Sequence, residues 1–104
     1  MPKRTDLNHS EIRELFRKKG FSWADTFTVG KGFPDGVVGN YGVTYLIEVK
    51  SPGGKLTSGQ ERFIDTWKGS PVEVVEDEQD VDRVIVKMLN AALPKVDPYT
   101  DDFE

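Results

Sequence analysis

Three strand-like segments follow one another with only short turns between them, and this constrains the fold more than any other feature of the sequence. They cover residues 22–29, 35–39 and 43–50. Turns this short join neighbouring strands as hairpins, so the three segments should pair antiparallel. A fourth strand-like run, residues 72–75, comes after a helical segment. A strand–helix–strand connection of this kind favours a parallel, right-handed crossover.

Helical periodicity surrounds the strand region. Residues 7–20, 57–69 and 77–93 carry apolar side chains at helical spacing, and each segment ends at or just before a glycine or proline. The order of elements is therefore αβββαβα. It predicts an α/β fold in which helices flank a mixed sheet of the α+β kind, around one core. We expect one domain over residues 1–94 and a flexible acidic tail over residues 95–104.

The charge of the chain is unevenly distributed along its length. Its 104 residues carry a net charge of −4, but residues 1–75 carry +2 and residues 76–104 carry −6. An acidic total argues against a nucleic-acid partner, whereas a mildly basic body can still present a local patch to phosphates. The distribution therefore leaves a nucleic-acid partner open.

Several classes of protein are excluded by residues that the sequence lacks. It contains no cysteine, which rules out disulfides and cysteine-based zinc sites, and its single histidine, His9, rules out multi-histidine metal sites. No apolar run approaches the roughly 20 residues of a membrane span. We expect a cytoplasmic protein with no membrane partner, and His9 to be an exposed residue at the start of a helix. Trp23 and Trp67 are expected in the core.

Two acids and a lysine should converge at one end of the predicted sheet. Glu48 and Lys50 lie two apart on a strand and therefore share a face, and the hairpin brings Asp35 next to them. On the second helix Gln60 falls in the middle of the apolar stripe, so its amide needs a polar partner. On the first helix Glu11 falls at the border of the apolar face, from which it can reach the site.

Each of these residues also has a purely structural interpretation. Asp35 follows a proline, where aspartate commonly forms part of a turn. Glu48 and Lys50 fit a solvated cross-strand pair. Glu11 favours the start of a helix through the helix dipole. Gln60 is the last residue of a T-x-x-Q capping box, in which its amide binds the backbone, and this role is compatible with one in the site.

Converging carboxylates and a lysine are equipment for phosphodiester hydrolysis. Oxygen ligands of this kind suit a hard cation such as Mg²⁺ or Mn²⁺, which can activate water beside a phosphate. A lysine nearby can stabilise the charge that develops on phosphorus. The sequence offers no Ser-His-Asp or Cys-His set for covalent acyl chemistry.

The motifs at these positions are similar to those of a known family. Pro34–Asp35 followed by Glu48-Val49-Lys50 resembles the PD-(D/E)XK nuclease superfamily, whose restriction-endonuclease-like core has the αβββαβ order, here followed by a C-terminal helix. The segments GFPD, IEVKS and KLTSGQ, together with the upstream Glu11, look most like VRR-NUC-type nucleases of phages. Archaeal-type Holliday-junction resolvases look like more distant relatives. The resemblance covers roughly residues 8–90.

This resemblance implies roles for individual residues. Asp35 and Glu48 would ligate Mg²⁺ or Mn²⁺, with the backbone carbonyl of Val49 completing the set. Lys50 would be catalytic. Glu11 and Gln60 would support the site.

A function and partners follow from the resemblance as expectations. We expect a divalent-metal-dependent DNA endonuclease, structure-specific for branched DNA such as a Holliday junction, that acts as a homodimer in the cytoplasm of a host cell if a phage encodes it. Lys31, Lys55 and Arg62 are candidates for phosphate contacts. Two alternatives stay open: a restriction-type or trimming nuclease on linear DNA, and a nuclease-fold module that binds DNA or protein without cutting.

Overall fold

A computed structural model describes residues 8–93 of the chain. The predicted tail, residues 95–104, lies outside the described residues. The elements are α1 (His9–Lys18), β1 (Ser22–Asp25), β2 (Gly36–Asn40), β3 (Val43–Val49), α2 (Ser58–Thr66), β4 (Val72–Val75) and α3 (Glu78–Ala92). The predicted order αβββαβα is confirmed. No helix in the described part of the chain has the length and apolar character needed to cross a membrane.

The four strands form one sheet in the order β1-β2-β3-β4. The first three pair antiparallel, and β4 pairs parallel to β3 after the α2 crossover. Gly36 of β2 pairs with Ile47 of β3. This register places Asp35, the residue before β2, beside Glu48 and Val49 at the end of β3. The mixed sheet and its predicted pairing are thus confirmed.

One face of the sheet carries the main core. Alternate residues of β3 and β4 point to this face, where α1 and α3 cover them. The buried members are Ile12, Phe16, Phe21, Trp23, Val38, Tyr45, Ile47, Val75, Val81, Val84 and Met88. Truncation of a large buried side chain such as Phe16 typically costs about 3–5 kcal/mol, so this face dominates the stability of the fold.

The opposite face is covered more thinly by α2. No residue of α2 is fully buried, and the helix packs through a small aromatic cluster that consists of Phe33, Phe63 and Trp67. Trp67 follows the last turn of α2 in extended backbone and remains 40% exposed, so its expected core position was wrong. Trp23, at 7% exposed, lies in the core as expected.

The first strand ends four residues earlier than the alternation of its side chains predicts. Beyond Asp25 the chain turns, because the N–H of Val29 donates to the carbonyl of Thr26 (3.0 Å), and Thr26 itself adds only one more rung to the ladder with β2. Its N–H donates to the carbonyl of Asp35 (2.9 Å) and its Oγ1 to the carbonyl of Pro34 (2.8 Å). The loop of residues 26–35 is therefore closed at its base, next to Asp35.

Candidate active site

Asp35 is fixed by hydrogen bonds to the neighbouring strand. Its N–H donates to the carbonyl of Ile47 (2.9 Å), the residue that pairs with Gly36. Its carboxylate Oδ2 accepts from the N–H of Val49 (2.8 Å). Backbone and side chain are thus both held by β3, and the carboxylate points towards the carboxyl end of that strand.

The glycine-rich turn before Asp35 packs directly on α2. Gly32 has a φ of 80°, in the left-handed region, and a Cβ at this position would collide with the carbonyl oxygen of Gly59. Only glycine meets both conditions without strain. The close approach fixes the distance between the turn that carries Asp35 and the first turn of α2, which carries Gln60.

Glu48 lies between Asp35 and α2 on the face opposite the main core. It is 2% exposed, and its Oε2 accepts a hydrogen bond from Nε2 of Gln60 (2.9 Å). Its carboxyl group also forms a hydrogen bond with the carboxylate of Asp35. A buried acid, Glu48, therefore meets a half-buried one, Asp35.

The electrostatics of Glu48 follow from this position. Burial, followed by the charge and hydrogen bond of Asp35, raises the pKa of Glu48 to about 8, although the positive charge of Lys50 opposes the rise. Near neutral pH the position therefore favours the protonated form of Glu48, whose carboxyl shares a hydrogen bond with Asp35. The proton occupies a place that a cation between the two carboxylates can take instead.

Gln60 has both of the roles that its position in the sequence allowed. Its Oε1 accepts from the N–H of Thr57 (2.8 Å) and its N–H donates to Oγ1 of Thr57 (3.1 Å), which completes the capping box of α2. Its Nε2 donates to Glu48. The two ends of one amide thus join the start of the helix to the buried carboxyl and fix the orientation of both.

Lys50 extends from the end of β3 into the loop that precedes α2. Its Nζ donates to the carbonyl of Lys55, and its aliphatic chain runs beside Gly54. An ammonium group has three donors. Lys50 can therefore keep this anchor and still place positive charge next to Glu48, whose pKa it lowers.

The structure thus brings Asp35, Glu48, Lys50 and Gln60 into one cluster at the carboxyl end of β3. A family model described as the VRR-NUC domain matches residues 4–78, a span that contains all four side chains. The chain belongs to the VRR-NUC domain family. It carries a nuclease-type domain of the PD-(D/E)XK kind, for which DNA is the implied substrate. No curated protein matched the chain.

Glu11 is separate from the cluster in this VRR-NUC domain. Its carboxylate accepts from the N–H of Asn8 (2.9 Å) in the capping box of α1, and it lines a different cavity together with Glu78. The helical angle placed Glu11 correctly at a border of the buried face. That face has two borders, however, and the carboxylate pair lies beyond the other one. The structure therefore does not show Glu11 in contact with the site.

His9 was expected to be exposed to solvent. It lies instead at the border of the buried face of α1 that is turned towards Asp35. Its Nε2 donates to the carbonyl of Asp35 (3.1 Å), and its ring meets Phe27 edge to face at 4.7 Å. At about 100° per residue, His9 lies about 20° from Phe16 around α1, whereas Glu11 lies about 160° from His9. Because Phe16 is apolar and expected in the core, this small angle between His9 and Phe16 is the feature of the sequence that indicates partial packing of His9.

The three candidate phosphate-binding residues are exposed on the α2 side of the domain. Lys31 stands on the turn before Asp35 with a φ of 58°, and Lys55 precedes α2. Arg62 lies on α2 itself. All three therefore lie on the side of the sheet that carries Glu48, with Arg62 on the outer surface of α2.

The donor set of the VRR-NUC domain fits a hard divalent cation. Asp35 and Glu48 offer carboxylate oxygens, and Val49 follows Glu48 at the wall of the same cavity as Asp35. Within residues 8–93, no group of three or more His, Cys, Asp or Glu side chains is arranged to hold a metal ion. Mg²⁺ commonly uses one or two carboxylates and takes water and substrate phosphate for the remaining positions, so a pair is sufficient.

Proposed function

We propose that this VRR-NUC domain is a Mg²⁺- or Mn²⁺-dependent endonuclease that hydrolyses phosphodiester bonds of DNA. The contact between Asp35 and the buried carboxyl of Glu48 carries the proposal. Burying one acid beside a second, half-buried acid is unfavourable for folding unless a proton or a cation lies between them. A site that is costly for the fold and suited to a cation is expected where the cation has a function.

Each residue of the cluster has a role in this proposal. Asp35, Glu48 and the carbonyl of Val49 would hold the ion, which, when bound, supplies Lewis-acid polarisation of a phosphodiester oxygen and favours the deprotonation of water. Lys50 would stabilise the negative charge that develops on the phosphate. Gln60 would keep Glu48 oriented through the hydrogen bond to its Oε2.

Cleavage of labelled DNA with Mg²⁺, Mn²⁺ or excess EDTA tests the proposal. We expect cleavage with either metal, none with EDTA, and none from Asp35→Asn purified in the same way, which controls for contaminating nucleases. Cleavage that persists in EDTA or in Asp35→Asn would refute the metal-dependent mechanism. Binding of DNA without cleavage under every condition would favour the non-cutting module.

We further propose that branched DNA is the preferred substrate. This preference rests on the resemblance to Holliday-junction resolvases, and the comparison that tests it is cleavage of a four-way junction against the same sequences as linear duplexes. At least tenfold faster cleavage of the junction is expected. Equal rates on both would favour the restriction-type or trimming alternative.

A homodimer is the arrangement that we propose for junction cleavage, because two symmetric active sites can address two strands of a branched substrate. One side of α3 exposes Val86, Leu89 and Leu93, which makes it a candidate for the contact between two copies. Sedimentation velocity of wild-type protein and of Leu93→Glu tests this. A monomer at micromolar concentration in the wild type would contradict the dimer.

A further inference from the structure

Beside the carboxylate pair lies a cavity of about 460 Å³ with an aromatic wall. Its lining consists of Asn8, His9, Phe27, Asp35, Val49 and Ser51. Phe27 is 53% exposed. A single exposed apolar residue is ordinary on a protein surface, so its exposure alone has no functional meaning. Its position is informative, because the ring shares a cavity with a carboxylate of the candidate active site.

The ring of Phe27 is held in place relative to Asp35. Thr26, the preceding residue, donates its N–H to the carbonyl of Asp35. The same carbonyl accepts from Nε2 of His9, whose ring contacts Phe27 at a centroid distance of 4.7 Å. One backbone bond and one side chain thus connect the aromatic ring to the residue that carries the carboxylate. Such a ring is pre-positioned rather than a freely moving part of a loop.

From this geometry we infer that Phe27 is a stacking platform for an unpaired nucleobase next to the phosphodiester that is cleaved. The inference rests on the proposed nuclease function, because it is a phosphate at Asp35 that brings the neighbouring base within reach of Phe27. An aromatic side chain stacks on any base through its π-face, so the subsite selects no particular sequence. Its partner is a nucleotide whose base is free to leave the helical stack.

A base within continuous duplex does not meet this requirement. Both of its faces are covered by neighbouring bases, and exposing one means unstacking and unpairing it at a cost in free energy. At a flap, a gap or the branch point of a junction that cost is smaller, because a base is already unpaired or weakly stacked. The Phe27 subsite therefore gives this domain a preference for DNA with an unpaired nucleotide at the cleavage position.

The test compares two DNAs of the same sequence, one with a single-stranded flap and one fully paired. The flap carries 2-aminopurine, a fluorescent base, beside the position at which cleavage is mapped. Binding is measured in EDTA, so it does not depend on catalysis. The variants are Phe27→Ala, Phe27→Trp, which keeps a stacking face, and Val29→Ala, which removes another exposed apolar side chain from the same loop.

We expect Phe27→Ala to weaken binding of the flapped DNA about tenfold, as typical for loss of one base–aromatic stack. Binding of the paired duplex should stay within about twofold. The fluorescence change of 2-aminopurine should disappear in Phe27→Ala and return in Phe27→Trp, and Val29→Ala should behave like the wild type. The slope of affinity against salt concentration should not change, because Phe27 neutralises no phosphate.

An abasic nucleotide at the same position separates stacking from a structural effect. With abasic DNA the wild type should bind as weakly as Phe27→Ala binds the normal flap, and the substitution should have no further effect. Equal weakening of both DNAs, or an unchanged effect of Phe27→Ala on the abasic flap, would overturn the inference. If this binding pattern holds but the wild type cuts neither DNA with Mg²⁺, the nuclease proposal fails and the stacking site stands.

Discussion

Two glutamates are buried on neighbouring strands and face opposite sides of the same sheet. Glu48 on β3 points towards α2, and Glu73 on β4 points towards α3. They are 2% and 8% exposed. The two residues are therefore nearly identical in chemical type and burial. Their surroundings differ, because two cations bind Glu73 directly, whereas Glu48 forms its hydrogen bonds with Gln60 and with a second acid, Asp35.

Glu73 meets positive charge. Its two carboxylate oxygens accept from Arg83 (2.8 Å) and from Lys87 (2.7 Å), both on α3. Burial raises the pKa of Glu73, but the hydrogen bonds from Lys87 and Arg83 and their charges outweigh it and leave that pKa below its ordinary value. An acid satisfied by two cations in this way joins β4 to α3 and is explained by the fold.

Glu48 meets the carboxylate of Asp35, and its pKa rises to about 8, first through burial and then through Asp35, because the one opposing charge, that of Lys50, does not outweigh them. Its protein neighbours do not fully stabilise its ionised form. The comparison teaches that burial of an acid is a weak functional signal, whereas burial beside another acid is a strong one. Four experiments test whether the two glutamates differ in function as they do in environment.

Loss of the carboxylate should have the largest effect at Glu48. We expect Glu48→Gln to lower the cleavage rate by more than about 100-fold, since removal of even an outer partner of a metal ligand typically costs 10–100-fold. Glu73→Gln should stay within about threefold in activity while losing about 1–3 kcal/mol of stability, because one of the two oxygens that accept from Arg83 and Lys87 becomes an NH₂ donor and the negative charge is lost. Single-turnover cleavage and urea unfolding measure the two quantities. A comparable loss of activity in folded Glu73→Gln would remove the distinction.

The support of Glu48 by Gln60 should give the next largest effect. Gln60→Ala should weaken the apparent affinity for Mg²⁺ in the cleavage reaction by about 10–100-fold. Thr57→Ala is the matched control, since it removes the capping oxygen and costs about 0.5–2 kcal/mol of stability without a contact to Glu48. Titration of the cleavage rate with Mg²⁺ distinguishes them. Equal shifts in both variants would mean that Gln60 acts only through the helix cap.

Much of this cluster could be predicted from the sequence, for geometric reasons. Strand residues two apart share a face, and a short turn fixes the hairpin register, which together bring Asp35 beside Glu48. The angle of Gln60 on its helix indicated an inward amide, and the amide does reach Glu48. These predictions rest on the regular repeat of side-chain direction along a strand or a helix. The chain must keep this repeat in order to bury its apolar residues in the core.

Other parts of the site could not be predicted, because they depend on contacts across the fold. The angle of Glu11 identifies a border of the α1 face but not which border meets the sheet end. His9 packs on the other border because β1 and the 26–35 loop pass beneath it. β1 ends early because the chain enters a turn in which the N–H of Val29 donates to the carbonyl of Thr26, and the alternation of side chains along the segment does not indicate this turn.

When no divalent metal is present, the contributions of Glu48 and Glu73 to the stability of the fold should depend on pH in opposite directions. The pKa of Glu48 is raised by folding, so its stabilising contribution is present below about pH 4.5 and is lost as the pH rises towards about 8. The pKa of Glu73 is lowered, so its contribution is present above its ordinary value and is lost as the pH falls below it.

Urea unfolding in EDTA between pH 5 and 8.5 measures the Glu48 effect. We expect the wild type to lose on the order of 2 kcal/mol over this range and Glu48→Gln to lose much less. Mg²⁺ at pH 8 should restore stability to the wild type but not to Glu48→Gln, because a ligand that binds only the folded state stabilises it. A flat profile in the wild type would show that Glu48 ionises without penalty.

The smallest effects concern the cations on the two faces of the sheet. Lys31 and Arg62 lie on the side of Glu48, whereas Lys87 is bound to Glu73 on the other side. If DNA approaches the carboxylate pair, Lys31→Ala and Arg62→Ala should each weaken binding a few-fold and lower the salt slope by about 1. Lys87→Ala should leave both quantities unchanged, because that cation already neutralises a buried acid. Equal losses from all three variants would mean that the attraction to DNA is spread over the whole surface. The data would then contradict the assignment of the face with Glu48 as the DNA-binding side.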